Sequence, residues 1–334
     1  MLLRRTFLAG AASLVAAGRA SAQASQLRIG RAPGLAYMPL FIMETAKLVE
    51  KQLAEHGLAS MPVSWQHWIS GNVMNDALLS GNLEIANGGV PPFLTLWARA
   101  KGSRSEIGAL SAVSDIPSTL TTINPRVKTL RDFTENDRIS VAAVKASQVA
   151  ILLQMAAEKE FGSGNYAQLD HLTVGLGQPE SMSLLLSGKS EITAHFTVPP
   201  FSNRELRDPR VRRVLSSIDI LGGVNTVVIA YASKAFYDTN TKAIKAYLAA
   251  LAEACEMIVR DRKSAIELYA KASGDKTSAA ELDEILTDPA LRYTLQPTGT
   301  MMFADFMHRV GSIKVKPFGW KDIFFPDVHH LPGS

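Results

Sequence analysis

Hydroxyl and amide side chains follow an apolar segment in the middle of this sequence, at a position where they could bind a small anion. Ser147 and Gln148 begin a helical pattern that comes shortly after "DRISVAAV" and directly after Lys145-Ala146. Free backbone N–H groups at a helix N-terminus bind anions, and neighbouring polar side chains add further donors. The pattern predicts recognition of an anion through hydrogen bonds. Lys145 either adds a full positive charge or is a solvated loop lysine.

Glycines and polar residues follow other apolar segments in the same way. Gly71-Asn72 and Asn87-Gly88-Gly89 are the main examples, and glycine allows a backbone to approach a ligand closely. The alternative interpretation is ordinary turn chemistry. The complete set of predicted ligand-binding residues is Tyr37, Trp68, Gly71, Asn72, Asn87, Gly88, Gly89, Lys145, Ser147, Gln148, Gln178, His195, Phe196, Thr197 and Thr226.

Aromatic residues in this set favour a ligand with an apolar or aromatic body over bare nitrate. Tyr37 follows Pro33-Gly34 and either lies over the ligand or packs in the core. Trp68 ends a strand pattern and is predicted to face the ligand. Trp65 lies three residues earlier, on the opposite side of that strand, and is predicted in the core.

Two residues of the sequence have competing interpretations as charged or titratable ligand groups. His195 ends a strand pattern just before Phe196 and Thr197, but a lone histidine more often has a structural role. Arg31 ends the first strand pattern and could supply charge to the site. Both alternatives stay open at this point.

Motifs for covalent or metal chemistry are missing from the sequence. It contains no Gly-x-Ser-x-Gly, no P-loop and no acid pair with a defined partner. His329-His330 lacks a third ligand, and the single cysteine, Cys255, is interpreted as a small buried apolar residue. We expect no catalytic residue, no metal site and no cofactor.

The elements that must position these residues alternate between strand and helix. Both halves of the chain follow the order strand, loop, helix, strand, loop, helix, strand, which is typical of an α/β fold with a mostly parallel sheet. Ligands of such sheets bind beyond the carboxyl ends of the strands, where the residues above fall. We therefore predict two similar lobes that face each other across a cleft.

A repeated segment supports the two lobes. "LLSGNLEIANGGVPPF" begins at Leu78 and "LLSGKSEITAHFTVPPF" begins at Leu185. The shared residues are interpreted as scaffold. The residues that differ, Asn87-Gly88-Gly89 and His195-Phe196-Thr197, are predicted to face the cleft.

The N-terminal segment is predicted to be an export signal. Residues 1–22, "MLLRRTFLAGAASLVAAGRASA", join a basic start to an apolar run and end in an A-x-A pattern. Arg4-Arg5 favours the twin-arginine route over the general secretory route, although the fit is partial. The segment carries three of the arginines and no acid, so the net charge of +4 falls to about +1 without it. This does not support a nucleic-acid partner.

The ordered motifs resemble the periplasmic substrate-binding proteins of ABC importers for nitrate, sulfonates, taurine and bicarbonate. The matching motifs are "LRIGRAPGLAYMPLFIMETAKLVEKQL", "ALLSGNLEIANGG", "VKTLRDF" and "RISVAAVKASQVAILLQMAA", and the resemblance covers essentially the whole chain after residue 22. It implies an α/β, two-lobed Venus-flytrap fold of the type 2 periplasmic binding proteins, each lobe a mixed sheet flanked by helices. Lobe one would comprise residues 23–115 and 226–334 and lobe two residues 116–225, with hinge crossovers near 113–121 and 220–228.

The resemblance also implies a function. It is that of a soluble periplasmic receptor, without a lipid anchor, that captures a small organic anion and delivers it to an ABC permease in the inner membrane. We expect a monomer that is not an enzyme. The alternatives are a secreted enzyme on the same fold and a ligand sensor for a membrane kinase.

Overall fold

The computed structural model describes residues 24–68 and 71–334, so the predicted export signal lies outside the described part of the chain, as do the side chains of residues 71–73. The strands are β1 (Leu27–Arg31), β2 (Val63–His67), β3 (Ile85–Gly89), β4 (Ile107–Asp115), β5 (Thr119–Thr122), β6 (Ile139–Val141), β7 (Thr173–Gly175), β8 (Ala194–Thr197), β9 (Arg212–Ser216), β10 (Thr226–Ser233) and β11 (Arg292–Tyr293).

Helices cover much of the remaining chain. They are α1 (Met38–Thr45), α2 (Leu48–Glu55), α3 (Gly71–Leu79), α4 (Val90–Ala100), α5 (Gln148–Phe161), α6 (Gln178–Ser187), α7 (Phe201–Leu206), α8 (Ser217–Leu221), α9 (Lys234–Thr239), α10 (Thr241–Arg260), α11 (Arg262–Ser273), α12 (Ala279–Ile285) and α13 (Thr300–Arg309). Within the described ranges, no helix is long and apolar enough to cross a membrane.

The strands form two separate mixed sheets with the same topology. The first has the order β11-β4-β10-β3-β1-β2, and the second has the order β7-β6-β8-β5-β9. In the first, β1 runs parallel to β2 and β3, and β10 is antiparallel to β3 and β4. In the second, β6 runs parallel to β7 and β8, and β5 is antiparallel to β8 and β9. We call the part built on the first sheet lobe one and the part built on the second lobe two.

This shared topology accounts for the repeated segment. In lobe one the repeat covers the end of α3, β3 and the start of α4; in lobe two it covers the end of α6, β8 and the start of α7. The copies diverge where the strand gives way to the next helix. α4 begins at Val90, while α7 begins only at Phe201, after the two prolines.

Apolar periodicity places the helices on the sheets. Along α10 the buried residues include Ile244, Tyr247, Leu251 and Ala254, which recur at the helical spacing and cover one face of the lobe-one sheet. β4 is buried at every residue, because helices or the C-terminal tail cover both of its faces. The other face of lobe one, covered by α4 and α13, shares a continuous apolar cluster with α5 of lobe two.

Several predicted elements have different limits in the structure. The sequence near Pro39–His56 predicts one helix, but the structure has two, α1 and α2, because Lys47 adopts a left-handed conformation with φ 52°. The sequence "RVRRVLSSIDI" predicts one strand, but β9 ends at Ser216, where a capping box with Asp219 starts α8. Only the apolar centre of "DRISVAAV" forms a strand, β6.

The chain passes between the sheets twice. The first crossing lies between β4, which ends at Asp115, and β5, which begins at Thr119; the second lies between β9 and β10 and contains α8. Away from these crossings the lobes also touch through charged pairs. Arg309 of α13 forms two bonds with Glu158 of α5, and Arg204 of α7 reaches Glu281 of α12.

Candidate ligand-binding site

The carboxyl ends of the strands in the two lobes face each other. Gly89 ends β3 in lobe one, and a Cβ atom built on it would lie 3.9 Å from Oε1 of Gln148 at the start of α5 in lobe two. Val198, directly after β8, packs against the apolar cluster of lobe one. The end of β3, the start of α5 and the segment after β8 therefore meet where the two lobes face each other.

The N-terminus of α5 offers unpaired donors to this cleft. Ser147 occupies the N-cap position, but its hydroxyl donates to the carbonyl oxygen of Ala143 at 2.9 Å and does not cap the helix. The backbone N–H groups of Gln148, Val149 and Ala150 have no acceptor among the described residues. These three donors, at the positive end of the helix dipole, suit a negatively charged group.

Two other helices that follow strands, α4 and α6, offer fewer donors. α4 begins with Val90-Pro91-Pro92 and α6 with Gln178-Pro179, and proline has no N–H group. Among these helix starts, only α5 presents a complete first turn of amides. Of these three helices, α5 therefore offers the most backbone donors that a negatively charged group could use.

Gln148 connects the start of α5 to the second crossing. Its side chain is 7% exposed, and Nε2 donates to the backbone carbonyl oxygen of Thr226 at 3.1 Å. Its Oε1 is buried and has no donor among the residues that the structure describes. Gln148 therefore lies between the two lobes.

Trp68 and Tyr37 lie on the lobe-one side. The backbone N–H of Trp68 donates to the carbonyl oxygen of Arg31, and its partly buried ring packs on the apolar cluster that includes α4. Its Nε1 is buried without an acceptor in the described chain. Trp65 packs against the opposite cluster, so the two tryptophans lie on opposite faces as predicted. Tyr37 touches both clusters, and burial raises the pKa of its phenol.

The middle residues of the repeat point into the lobes instead of into the cleft. Asn87 is fully buried; its Nδ2 donates to the carbonyl oxygen of Gly30 at 2.8 Å, and its Oδ1 accepts a hydrogen bond from Tyr247 at 2.7 Å. His195 is 1% exposed, and its Nδ1 lies 2.6 Å from Oε1 of Glu205. Strand alternation turns both side chains beneath a flanking helix. The expectation that they face the ligand is corrected for these two side chains.

The residues next to Asn87 and His195 in the repeat have different surroundings. Phe196 is fully buried in the cluster shared with α5, so it is a core residue and not a ligand contact. Thr197 hydrogen-bonds through its hydroxyl to Oε1 of Gln178, which joins the end of β8 to the start of α6. Gly88 and Gly89 pair with Ile229 and Val228 of β10.

Arg31 does not supply free charge to the cleft. Its guanidinium stacks on the ring of Phe41 at 3.6 Å, and its Nε and Nη2 contact Oε2 of Glu44 at 2.7 and 2.6 Å. Burial lowers the pKa of Arg31, and the bond to Glu44 opposes that shift. Lys145 is largely exposed, has φ 59°, and approaches Asp170 only at 3.9 Å.

Thr226 belongs to a buried polar network at the crossings. Its hydroxyl donates to Oδ1 of Asp115 at 2.9 Å and accepts from the backbone N–H of Thr298 at 2.9 Å. Arg292 binds the same carboxylate at 2.5 Å. Burial raises the pKa of Asp115, opposed by these bonds to Thr226 and Arg292. The side chain of Thr226 is thus used within lobe one, and its carbonyl oxygen is the group that faces Gln148.

The structure describes some residues of the predicted set only in part. Gly71 and Asn72 begin α3, directly after Trp68 and the undescribed residues 69–70, and the side chain of Asn72 lies outside the described part. The residues that sequence reasoning missed are Glu205, Tyr247, Asp115 and Asn225. An isolated acidic, tyrosine or asparagine position inside a helix or loop carries no local pattern that identifies its distant partner.

Two cavities lie away from the carboxyl ends of the strands. One of about 250 Å³ is lined by residues of α5, α8 and α13, including Met155, Ile220 and Phe306. The other, of about 160 Å³, lies beside Trp97 and the C-terminal tail. No group of His, Cys, Asp and Glu that could hold a metal ion occurs within residues 24–68 and 71–334.

Solved structures with the same fold are periplasmic binding proteins. The alkanesulfonate-binding protein SsuA from Xanthomonas axonopodis pv. citri, bound to MOPS, is 17% identical; the match covers 94% of this chain and 100% of that chain, with a TM-score of 0.67. The aliphatic sulphonate binding protein SsuA from Escherichia coli is 19% identical over 91% of this chain and 92% of that chain, with a TM-score of 0.67. The nitrate-binding protein NrtA from Synechocystis PCC 6803 is 14% identical over 78% of this chain and 70% of that chain, with a TM-score of 0.59.

These similarities confirm the predicted two-lobed periplasmic binding protein fold, with mixed sheets flanked by helices. No protein-family model matches the sequence, and no curated protein matches it.

Proposed function

We propose that this chain is a periplasmic solute-binding protein that closes its two lobes on a small organic anion, a sulfonate or a carboxylate, and delivers it to an ABC-type permease. The observation that carries the proposal is the start of α5, where three unpaired backbone amides and the buried Gln148 border the cleft. Closing the lobes would replace the water around the anion with these fixed dipoles. The protein would act as a monomer without catalytic activity.

The ligands of proteins with the same fold support this class. Two of the solved structures are named for sulfonates and one for nitrate. A ligand with a single negative charge would suit this region, because Arg31 is paired with Glu44 and Lys145 is largely exposed. The predicted export signal at residues 1–22 would place the protein in the periplasm, through the twin-arginine or the general secretory route.

A binding screen tests the proposal. The chain from Gln23 onward would be titrated in Tris buffer, free of sulfonates and carboxylates, with propane-1-sulfonate, 2-aminoethanesulfonate, benzenesulfonate, butanoate, 3-aminopropanoate and nitrate. Isothermal titration calorimetry and tryptophan fluorescence would measure binding, because Trp68 directly follows β2 and packs on the cluster that includes α4 and α5. We expect at least one sulfonate or carboxylate to bind and to be recovered unchanged. Lack of binding by every compound would contradict the proposal.

A proline variant tests the role of the α5 amides. Val149→Pro removes one N–H at the second position of α5, where α4 and α6 already carry proline. We expect affinity to fall by about 10- to 100-fold, the loss of one hydrogen bond to a charged group. Lys242→Pro is the matched control, since it makes the same change at the second position of α10, on an exposed residue of another helix. Equal affinities of the two variants would show that the anion binds elsewhere.

A further inference from the structure

The side-chain amide of Gln148 has a buried acceptor oxygen, and the hydrogen bond made by its nitrogen identifies that atom. The Nε2 of its amide donates to a backbone carbonyl, that of Thr226, so the remaining atom is the carbonyl oxygen Oε1. That oxygen is buried, with no donor among the described residues, and lies 3.9 Å from a Cβ built on Gly89 of the opposite lobe. It therefore faces the space between β3 and α5, beside the unpaired amides of the α5 N-terminus.

A second amide shares the same anchor. Asn225 is 1% exposed, its Nδ2 also donates to the carbonyl oxygen of Thr226 at 3.1 Å, and its Oδ1 is buried without a donor in the described chain. Two carboxamides thus converge on one carbonyl oxygen and leave two acceptor oxygens unpaired. A buried acceptor without a donor costs about 1–3 kcal/mol, so native proteins rarely leave such atoms unpaired.

The groups at the start of α5 define which ligand atoms could pair with them. The start of α5 supplies donors for an anionic group, while Gln148 supplies an acceptor next to them. A simple alkanesulfonate, a simple carboxylate or nitrate has acceptors only and would leave Oε1 unpaired. An anion that also carries an amine, amide or hydroxyl group would pair both kinds of atom.

We propose that Gln148 is a specificity-determining residue that accepts a hydrogen bond from a donor group on the ligand, so that the preferred ligand is an amino- or hydroxy-substituted organic anion. This inference rests on the proposed function and narrows its ligand class. Asn225 donates a second hydrogen bond to the carbonyl oxygen of Thr226 and so helps to hold that carbonyl in place. Because Arg31 is paired with Glu44, its charge would not oppose an ammonium group on the ligand.

Isosteric pairs of probes test the inference on the wild-type chain. 2-Aminoethanesulfonate and 2-hydroxyethanesulfonate would each be compared with propane-1-sulfonate, and 3-aminopropanoate with butanoate, by isothermal titration calorimetry in Tris buffer. We expect the donor-bearing member to bind at least 10-fold more tightly in one pair or more, the discrimination that an unpaired buried acceptor produces. Equal binding within every pair would overturn the inference, with the Oε1 atom then satisfied by water, and would leave the proposed function intact.

A matched pair of variants tests the residue itself. Gln148→Met keeps the side-chain length and removes the acceptor, and it should reduce the preference within a pair to less than threefold. Gln154→Met is the control, because Gln154 is a buried glutamine of the same helix whose amide instead binds Asp170 within lobe two. Circular dichroism and thermal melting would establish that both variants fold. A preference that survives in folded Gln148→Met would assign the discrimination to another residue, and failure of all probes to bind the wild type would contradict the proposed function itself.

Discussion

The Nδ1 atom of His195 lies 2.6 Å from Oε1 of Glu205, and both side chains are buried within lobe two. The second carboxylate oxygen, Oε2, accepts a hydrogen bond from the hydroxyl of Thr121 at 2.6 Å. These contacts join β8, α7 and β5, which meet just below the end of the strand that borders the cleft. His195 therefore acts by holding α7 on the sheet, and not as a ligand group.

Removal of this carboxylate should destabilise the protein without changing its specificity. Glu205→Ala leaves His195 and Thr121 without their partner, and we expect the free energy of unfolding to fall by about 3–5 kcal/mol. Urea denaturation would measure the loss. Glu191→Ala, at an exposed position of the same lobe, should change it by less than about 0.5 kcal/mol. A folded His195→Ala variant that loses ligand binding at unchanged stability would contradict the structural role.

The two serine N-caps should respond differently to truncation. Ser216 caps α8 by accepting from the backbone N–H of Asp219, whereas the hydroxyl of Ser147 donates to Ala143 and caps nothing. Ser216→Ala should therefore reduce the free energy of unfolding by about 1 kcal/mol, and Ser147→Ala by clearly less. Denaturant titrations of both variants provide the comparison. An equal loss for both would mean that Ser147 caps α5 in solution.

Charged pairs between α7 and the α11–α12 region should favour contact between the lobes. Nε of Arg204 donates to Oε1 of Glu281 at 3.2 Å, and Nη2 of Arg204 donates to the hydroxyl of Thr277 at 2.6 Å. Arg207 lies 3.2 Å from the same carboxylate oxygen of Glu281. Arg204→Glu places like charges at this contact and should shift the lobes apart, which small-angle scattering would detect as a larger radius of gyration.

The charge-swapped double variant is the control for this prediction. Arg204→Glu combined with Glu281→Arg restores opposite charges between positions 204 and 281 but places like charges at positions 207 and 281, so it should recover only part of the wild-type radius. The difference between single and double variants should shrink at high salt, because screening weakens partly exposed pairs. An unchanged radius in the single variant would mean that these pairs do not influence lobe closure.

Cys255 should be inert to thiol reagents while the protein is folded. It is buried in α10, and burial raises the pKa of its thiol to about 12. The reactive thiolate is therefore scarce near pH 8, and the thiol is also shielded from reagents. Iodoacetamide at pH 8 should label the native protein negligibly and the urea-unfolded protein completely, as measured by mass spectrometry. Rapid labelling of the native protein would indicate that the C-terminal half of α10 opens readily.

Local sequence patterns were sufficient for much of the architecture. The alternation of strand and helix and the repeated segment predict two lobes of the same construction, and the structure contains two sheets with matching strand order. The opposite faces of Trp65 and Trp68 follow from strand periodicity alone. The start of α5 at Gln148 is also apparent from the residues around it. Each of these properties depends on dihedral preferences and side-chain direction over a few neighbouring residues.

Tertiary structure alone decided which polar residues remain available to a ligand. Asn87 binds Tyr247, 160 residues away, and Gln148 binds the carbonyl of Thr226, 78 residues away. Arg31 is neutralised by Glu44 on a helix that folds back over β1. A polar side chain at a strand end can turn toward the cleft or beneath a helix, and the partner that determines its direction comes from a distant part of the chain. The sequence therefore determined where the cleft lies, and packing between distant elements determined which atoms it presents.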